Sequence, residues 1–141
     1  MTVSVSRSVE YDVVVIGGGM AGLRAALAAA EAGSRTAIVC KSFLVAETAS
    51  CMAGGGMVYP SAELPPDEYV RTVRRAGHGI NDLRLLWLMG EHGEAEFHDA
   101  VRRFGWTYVV RDRYQSTLRG GLIPGYRVIL PMAQAAVAAG A

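Results

Sequence analysis

The sequence predicts an α/β fold with a parallel β-sheet, and three consecutive segments near the N-terminus carry this prediction. The segment YDVVVI at residues 11–16 is rich in β-branched residues, which is typical of a strand buried on both faces of a sheet. The alanine-rich residues 20–32 predict a helix that ends at Gly33. The segment RTAIVC at residues 35–40 predicts a second strand. A strand, a helix and a strand within about 30 residues make a right-handed βαβ unit.

The middle of the chain predicts irregular structure followed by helices. Residues 41–64 are dominated by small residues and glycine. Residues 65–77 predict a helix, because prolines and acids stand at its start and arginines at its end, as the helix dipole prefers. Asn81 or Asp82 can cap a further helix through residues 83–93. Three apolar side chains of that helix are expected in the core: Leu86, Trp87 and Met89.

The C-terminal part predicts a further helix, one more β-segment and a final helix. Residues 94–104 are predicted to be helical, and residues 106–110 to form a short strand. Residues 111–125 predict a loop or a small hairpin. The tail, residues 126–141, predicts a helix in which Pro131 forces a kink or a later start.

Composition limits the classes of protein that this chain can represent. With 141 residues, it is expected to form one domain at most, and 51% hydrophobic residues suffice for a core. The net charge of +1 gives the chain no general attraction to nucleic acid or anionic lipid. The N-terminus is polar, and no apolar run reaches the ~18–20 residues that span a bilayer. We therefore expect a cytoplasmic protein without direct membrane insertion and without a nucleic-acid partner.

The sequence predicts no metal site. Cys40 and Cys51 fit no zinc spacing, and two reduced thiols are the expected state. His92 and Glu96 are spaced as two ligands on one helix face would be. Gly93 weakens that helix, and a solvated polar patch explains the pair better.

The glycine pattern between the first strand and the first helix predicts a dinucleotide site. Gly17 permits a tight turn, Gly19 lets the backbone approach a pyrophosphate, and Gly22 lets the helix pack closely on the strand. The free N–H groups of the first helical turn then face the phosphates. Within a βαβ unit of this length, GxGxxG is a specific signal.

The residues after the second strand leave the identity of the dinucleotide open. NAD sites usually carry an acid about 20 residues past the glycines, to bind the ribose hydroxyls. This chain has Cys40, Lys41 and Ser42 there. A lysine disfavours NAD and is compatible with the 2′-phosphate of NADP.

Three further segments carry a resemblance to a known family. The segments at residues 11–33 and 36–43 (TAIVCKSF) are followed by SCMAGGGM at residues 50–57. This arrangement resembles the flavoprotein family of succinate dehydrogenase and fumarate reductase, which includes L-aspartate oxidase and the 3-ketosteroid dehydrogenases. Residues 67–108 are similar to the helical pair that follows in these proteins. The resemblance spans the whole chain, and its specific motifs end near Met57.

The resemblance implies a Rossmann-like fold with an incomplete sheet, and FAD as the cofactor. Residues 1–141 would be the N-terminal part of an FAD-binding domain, with an ADP-binding βαβ unit at 11–42, a flavin-facing loop at 43–64 and a mainly helical part at 65–141. Three glycines would contact the pyrophosphate: Gly17, Gly19 and Gly22. Lys41 and Ser42 would lie near the adenosine. Five residues would lie near the flavin ring: Thr48, Ala49, Ser50, Gly54 and Gly55.

One departure from the family pattern concerns the attachment of FAD. In the respiratory members a histidine of the flavin loop binds FAD covalently. An alignment without gaps places Thr48 at that position, and no histidine precedes His78. The resemblance therefore implies a non-covalent FAD.

The resemblance implies a flavin-dependent oxidoreductase that acts on a C–C bond next to a carboxylate or carbonyl. The substrate-binding and proton-donating residues of the family resemble nothing in these 141 residues, so no catalytic residue is assigned. Three alternatives remain: a non-catalytic nucleotide-binding module or fragment, an NADP-binding domain, and one half of a split enzyme completed by a second chain.

Overall fold

The computed structural model describes residues 8–54, 56–112, 115–118 and 124–141. The chain divides into two compact units, described here one at a time. The first unit contains Met1–Met52 and Ile129–Ala141, and the second contains Ala53–Val128.

The first unit contains the predicted βαβ arrangement. Strand β1 (Val13–Ile16) leads into helix α1 (Met20–Glu31), and strand β2 (Thr36–Val39) pairs with β1 in parallel. The register runs from Val13 opposite Thr36 to Ile16 opposite Val39. Helix α1 ends where Gly33 takes a left-handed φ of 85°. The predicted order of elements in this unit is therefore confirmed.

Helix α1 packs on one face of this small sheet. Its buried side chains recur at the spacing of one helix face: Leu23, Ala26, Leu27 and Ala30. The prediction that the first strand is buried on both faces is wrong, because Val14 is 53% exposed and Ile16 is 87% exposed. Within the described residues, β1 and β2 form a two-stranded sheet, and no second layer covers the face that carries these two side chains.

The final helix, α5 (Pro124–Ala138), includes Pro131 inside its length. The predicted later start is therefore wrong. A proline within a helix removes one backbone hydrogen bond, and tertiary packing can offset that loss. Such packing is present, because Ile129, Met132, Ala133 and Ala136 are all buried.

The chain continues from β2 into a short helix and then into the second unit. Helix α2 (Ala49–Met52) still belongs to the first unit. The second unit then contains β3 (Gly56–Met57), α3 (Pro66–Ala76), α4 (Leu83–Phe104), β4 (Tyr108–Asp112) and β5 (Gln115–Leu118). The three strands form an antiparallel sheet in the order β3-β5-β4. Of the segment predicted as a loop or small hairpin, residues 111–112 and 115–118 belong to the antiparallel pair of β4 and β5, and residues 113–114 and 119–123 lie outside the described residues. Among the described residues, no helix is long and apolar enough to cross a membrane.

The core of the second unit lies between α3 and α4. It is formed by Leu64, Tyr69, Val70 and Leu86, with Val58 and Val73 partly buried against them. A methyl group on Gly90 would lie 3.3 Å from Val70 Cγ2, and one on Gly93 would lie 2.9 Å from Pro60 Cδ. Gly93, which was expected to weaken the helix, thus allows close packing, as Gly90 does, and α4 runs unbroken across both.

Helix α4 has defined ends and a narrow buried face. The Asp82 carboxylate accepts hydrogen bonds from the N–H groups of Arg84 and Leu85, and Gly105 ends the helix with a φ of 64°. The prediction of Trp87 and Met89 as core residues is wrong, because they are 43% and 49% exposed. They flank the stripe of α4 that contains the buried Leu86.

Candidate dinucleotide site

The turn between β1 and α1 needs a glycine at its first position. Gly17 has a φ of 113°, in the left-handed region that disfavours every other residue type. Its N–H donates to the carbonyl oxygen of Val39 at 2.9 Å, which joins the end of β1 to the end of β2. The backbone therefore turns sharply at the edge where both parallel strands end.

Gly22 brings α1 close to this turn. A methyl group at this position would collide with the carbonyl oxygen of Gly17 and lie 3.4 Å from Val15 Cγ1. The geometry matches the role expected of the third glycine, which is close packing of helix on strand.

Gly19 stands at the N-cap of α1, with extended backbone and no side chain to cap the helix. Its carbonyl oxygen accepts a hydrogen bond from the Leu23 N–H at 2.9 Å. Within the part of the chain that the structure describes, the N–H groups of Ala21 and Gly22 have no acceptor. These amides and the positive end of the helix dipole favour an anion at this position.

Ser50 lies beside the same helix end. Its Oγ accepts a hydrogen bond from the Met20 N–H at 3.1 Å, and a methyl group on Gly19 would lie 3.2 Å from that oxygen. The hydroxyl thus caps α1 from a residue 30 positions further along the chain. The sequence predicted Ser50 as one of several small residues, and only the fold reveals its contact with the turn.

Thr48 immediately precedes α2, and Ala49 is the first residue of this short helix, which also contains Ser50. The Thr48 Oγ1 accepts a hydrogen bond from the Cys51 N–H at 3.0 Å, so Thr48 caps this helix. Ala49 is exposed, and the side chain of Cys51 is buried.

Lys41 and Ser42 follow β2 directly. Lys41 is exposed, and the Ser42 hydroxyl donates to the carbonyl oxygen of Ala46 at 3.3 Å. Two non-glycine residues close to them, Val45 and Glu47, have left-handed φ angles of 61° and 52°. Strained backbone of this kind clusters in ligand-binding segments of proteins.

The last two predicted residues lie outside the described part of the first unit. Gly54 is exposed and belongs to the second unit. Gly55 lies outside the described residues.

Gly18 is a residue of the turn that the sequence reasoning missed. A methyl group at this position would lie 2.7 Å from Cys40 Sγ and 3.2 Å from Leu44 Cδ1. Gly18 is buried, whereas the GxGxxG pattern treats its position as free. The sequence signal was the middle glycine of an unbroken run, Gly17 to Gly19.

Neither metal nor disulfide chemistry has support at this site. Both Cys40 and Cys51 are free thiols. Among the residues described, no group of three or more His, Cys, Asp and Glu side chains could hold a metal ion. His92 is exposed, and its Nε2 lies 3.9 Å from the Glu91 carboxylate.

A comparison with protein families identifies the class of protein to which this chain belongs. The family model of the FAD binding domain matches residues 12–140, almost the whole chain. The chain belongs to this family of FAD-binding flavoproteins, and FAD is its cofactor. The choice left open between FAD and NADP is thereby decided.

Individual relatives place the chain more closely within the flavoproteins. It is 42% identical over 92 residues to L-aspartate oxidase of Mycobacterium bovis, a match over 64% of this chain and 18% of the relative. Mycobacterium smegmatis Sdh1 is similar in structure, with a TM-score of 0.73 and 26% identity over 89% of this chain and 23% of that one. E. coli quinol fumarate reductase FrdA shares the fold, with a TM-score of 0.74 and 18% identity over 91% of this chain and 24% of that one.

These comparisons confirm the resemblance to succinate dehydrogenase and fumarate reductase flavoproteins, and the Rossmann-like fold. The chain spans about a fifth to a quarter of the length of these relatives. It contains the FAD-binding region of a flavoenzyme of this type.

The residues present in the turn fit the pyrophosphate of FAD. No side chain projects from Gly17, Gly18 or Gly19, and the α1 N-terminus offers amides without an internal acceptor. The Ser50 hydroxyl adds a polar group at the same position. A diphosphate needs hydrogen-bond donors and close backbone approach, and this turn provides both.

Proposed function

We propose that the chain binds FAD non-covalently and supplies the ADP-binding part of an oxidoreductase of the succinate dehydrogenase and fumarate reductase type. The observation that carries this proposal is the α1 N-terminus, where a side-chain-free turn meets unpaired amides and the Ser50 hydroxyl. FAD, when bound, would supply a group that accepts the hydride lost from one carbon, while a proton leaves its neighbour, as a C–C bond next to a carboxylate or carbonyl becomes a double bond.

The residues have separate roles in this proposal. The amides at the start of α1 bind the pyrophosphate, and Gly17, Gly19 and Gly22 keep it free of side chains. Lys41 and Ser42, which follow β2, lie on the adenosine side. The remaining residues border the flavin ring and let backbone N–H groups approach it: Thr48, Ala49, Ser50, Gly54 and Gly55.

The flavin loop favours a dissociable cofactor. No histidine occurs before His78, and Thr48 already uses its Oγ1 to cap α2. A hydroxyl engaged in this way holds the loop in shape, and it forms no covalent bond to flavin.

A second candidate reaction is the oxidation of an amino acid. The 42% identity to L-aspartate oxidase over 92 residues favours it. In either reaction, residues beyond these 141, on the same polypeptide or on a second chain, would bind the substrate and transfer the proton, accepting it in oxidation and donating it in reduction. A module that binds the nucleotide without catalysing any reaction is the remaining alternative.

The proposal is tested by titrating FAD into the purified 141-residue chain and following flavin absorbance near ~450 nm through gel filtration. We expect flavin to co-elute with protein at saturating FAD, and NADP to compete poorly. After acid precipitation all flavin should stay in the supernatant. Flavin retained in the pellet would refute the non-covalent proposal, and protein that never acquires flavin absorbance would refute FAD binding by this chain.

A matched pair of variants separates cofactor binding from folding. Ser50→Ala removes the hydroxyl that caps α1, whereas Ser61→Ala removes one from the second unit, where Ser61 Oγ accepts from the Leu64 N–H at 3.2 Å. We expect weaker FAD binding only in Ser50→Ala. Equal affinity in both variants would show that Ser50 takes no part in the site.

A further inference from the structure

Two residues between β2 and α2 hold a backbone conformation that their side chains disfavour. Val45 and Glu47 have left-handed φ angles of 61° and 52°. For a residue with a Cβ, the left-handed region is roughly 5–30-fold less populated than the right-handed one, and for a β-branched residue such as valine it is a clear outlier. Strain of this kind persists only where the surrounding structure imposes it.

The structure that imposes it is a pair of contacts on either side of these two residues. Before them, Leu44 packs on the glycine turn, where a methyl group on Gly18 would lie 3.2 Å from Leu44 Cδ1. After them, the Ser50 Oγ accepts a hydrogen bond from the Met20 N–H at 3.1 Å. The six-residue step from Leu44 to Ser50 could extend about 20 Å, yet both of its ends reach the junction of β1 and α1. The chain between them must therefore reverse its direction.

Val45 and Glu47 lie in this reversal, one on each side of Ala46. The Ala46 N–H donates to the carbonyl oxygen of Phe43 at 3.0 Å, and its own carbonyl oxygen accepts a hydrogen bond from the Ser42 hydroxyl at 3.3 Å. The reversal is thus a closed local turn. A relaxed backbone at Glu47 would redirect the chain just before α2, and with it the hydroxyl that caps α1.

The side chain of Glu47 gives no other reason for its conformation. It is exposed, and within the part of the chain that the structure describes it makes no hydrogen bond or ion pair. A glycine would adopt the same φ without a steric cost. The left-handed backbone at this position is therefore a consequence of where the chain has to go.

We propose that Val45 and Glu47 are positioning residues for the pyrophosphate of FAD. Their left-handed backbone directs the chain back onto the glycine turn, so that Leu44 and Ser50 hold the turn in the form that binds the cofactor. This role rests on the proposed function, because the turn is the FAD site only under that proposal. It adds that FAD affinity depends on how readily residue 47 adopts a left-handed φ.

A pair of substitutions at Glu47 tests the proposal, with the same pair at His78 as the control. His78 is also an exposed residue with a left-handed φ, of 50°, and it lies in the second unit. Each residue is changed to glycine, which adopts the left-handed region freely, and to valine, which disfavours it. Titration of the full 141-residue chain with FAD, followed by flavin absorbance, gives the affinity of each variant. Circular dichroism verifies that each is folded, and Glu47→Ala replaces Glu47→Val if the valine variant is not.

We expect Glu47→Val to bind FAD at least about fivefold more weakly than Glu47→Gly, because valine makes the left-handed backbone scarcer. Glu47→Gln keeps the size of the side chain without its charge and should bind FAD as the wild type does. The two His78 variants should have equal affinities. A smaller difference between the Glu47 variants, or an equal difference between the His78 variants, would overturn the proposal.

The Met20 amide separates a failure of this proposal from a failure of FAD binding. Its N–H donates to Ser50 in the absence of any ligand, so its chemical shift in the ¹⁵N-labelled chain reports on the position of the loop without FAD. We expect Glu47→Val to move the Met20 amide signal and His78→Val to leave it in place. An unmoved signal in Glu47→Val would overturn the positioning role. A moved signal in a chain that binds no FAD would refute the proposed function and leave the positioning of Ser50 standing.

Discussion

The two units of this chain are each stabilised by a different kind of internal contact. In the first unit the critical contacts are between backbone atoms, at the turn where Gly22 packs against the carbonyl of Gly17. In the second unit they are between apolar side chains, with Leu64 and Tyr69 almost completely buried beside Leu86. The glycine turn of the first unit is therefore intolerant of added atoms, and the apolar core between α3 and α4 in the second unit is intolerant of lost ones.

This difference explains where function is located. A backbone turn without side chains leaves N–H groups free to bind a ligand, whereas an apolar core uses its surface for packing alone. Both tryptophans, Trp87 and Trp106, lie in the second unit, so their fluorescence reports on that unit. Under the proposed site, flavin binding would report on the first.

Leu86→Ala should have the largest effect on stability. Leu86 is 4% exposed, and its loss leaves a cavity between α3 and α4 that costs about 3 kcal/mol. Leu85→Ala is the matched control, because Leu85 is 59% exposed. Urea unfolding followed by tryptophan fluorescence measures both. Equal midpoints for the two variants would contradict the assignment of this core.

Gly22→Ala should come next, and it should affect the first unit. The added methyl collides with the Gly17 carbonyl, which we expect to cost about 2 kcal/mol and to weaken FAD binding more than tenfold. Gly56→Ala is the control, because nothing lies within 4 Å of the added atom. Thermal unfolding and FAD titration measure the effect. Unchanged FAD affinity in Gly22→Ala would show that the turn is not the binding site.

Gly18→Ala tests the contact that the glycine pattern did not predict. The new methyl would lie 2.7 Å from Cys40 Sγ, so we expect a loss of about 1–2 kcal/mol. Adding Cys40→Ala removes the sulfur and should restore most of that loss. A double-mutant cycle from urea unfolding gives the coupling energy. Additive losses would mean that the sulfur does not limit the size of residue 18.

Asp82 should produce the smallest change, and one that depends on pH. Its pKa is lowered by the side-chain hydrogen bond from Arg84 and by the backbone N–H groups of Arg84 and Leu85. A carboxyl group with a lowered folded pKa stabilises the fold above its unfolded pKa, and this contribution disappears as the pH falls through the folded pKa.

The stability lost in Asp82→Ala should therefore be full at neutral pH and shrink below about pH 4. Thermal unfolding at a series of pH values measures the difference between variant and wild type. Asp82→Asn keeps an acceptor at the helix start without a titrating group, so it should retain more stability than Asp82→Ala at neutral pH. A difference between wild type and Asp82→Ala that does not change with pH would contradict this role.

The first unit could be predicted from sequence because its rules are local. The GxGxxG spacing, the alanine-rich helix and the β-branched strands each constrain the backbone within a few residues, and Gly17 and Gly22 have the conformation or packing that this pattern requires. The start of α4 at Asp82 and its end before Gly105 depend on equally local signals, a capping side chain and a glycine.

The features that the sequence did not predict depend on contacts between residues that are distant in sequence. The hydrogen bond from Met20 to Ser50 spans 30 residues, and the contact of Gly18 with Cys40 crosses from one strand end to the other. Trp87 and Met89 are apolar, and only the narrow buried face of α4 reveals that they lie outside the core. Pro131 is accepted within α5 because of packing that local propensity does not include.

The central claim is that the turn from Gly17 to Gly22 binds the pyrophosphate of FAD. The most direct test is a titration of the ¹⁵N-labelled chain with FAD and with ADP, followed by amide chemical shifts. We predict that both ligands shift the amides of Gly19, Ala21 and Gly22 most strongly, and that FAD alone also shifts those of Thr48 and Ala49. No shifts at the turn at saturating FAD, or shifts confined to residues outside it, would contradict the claim.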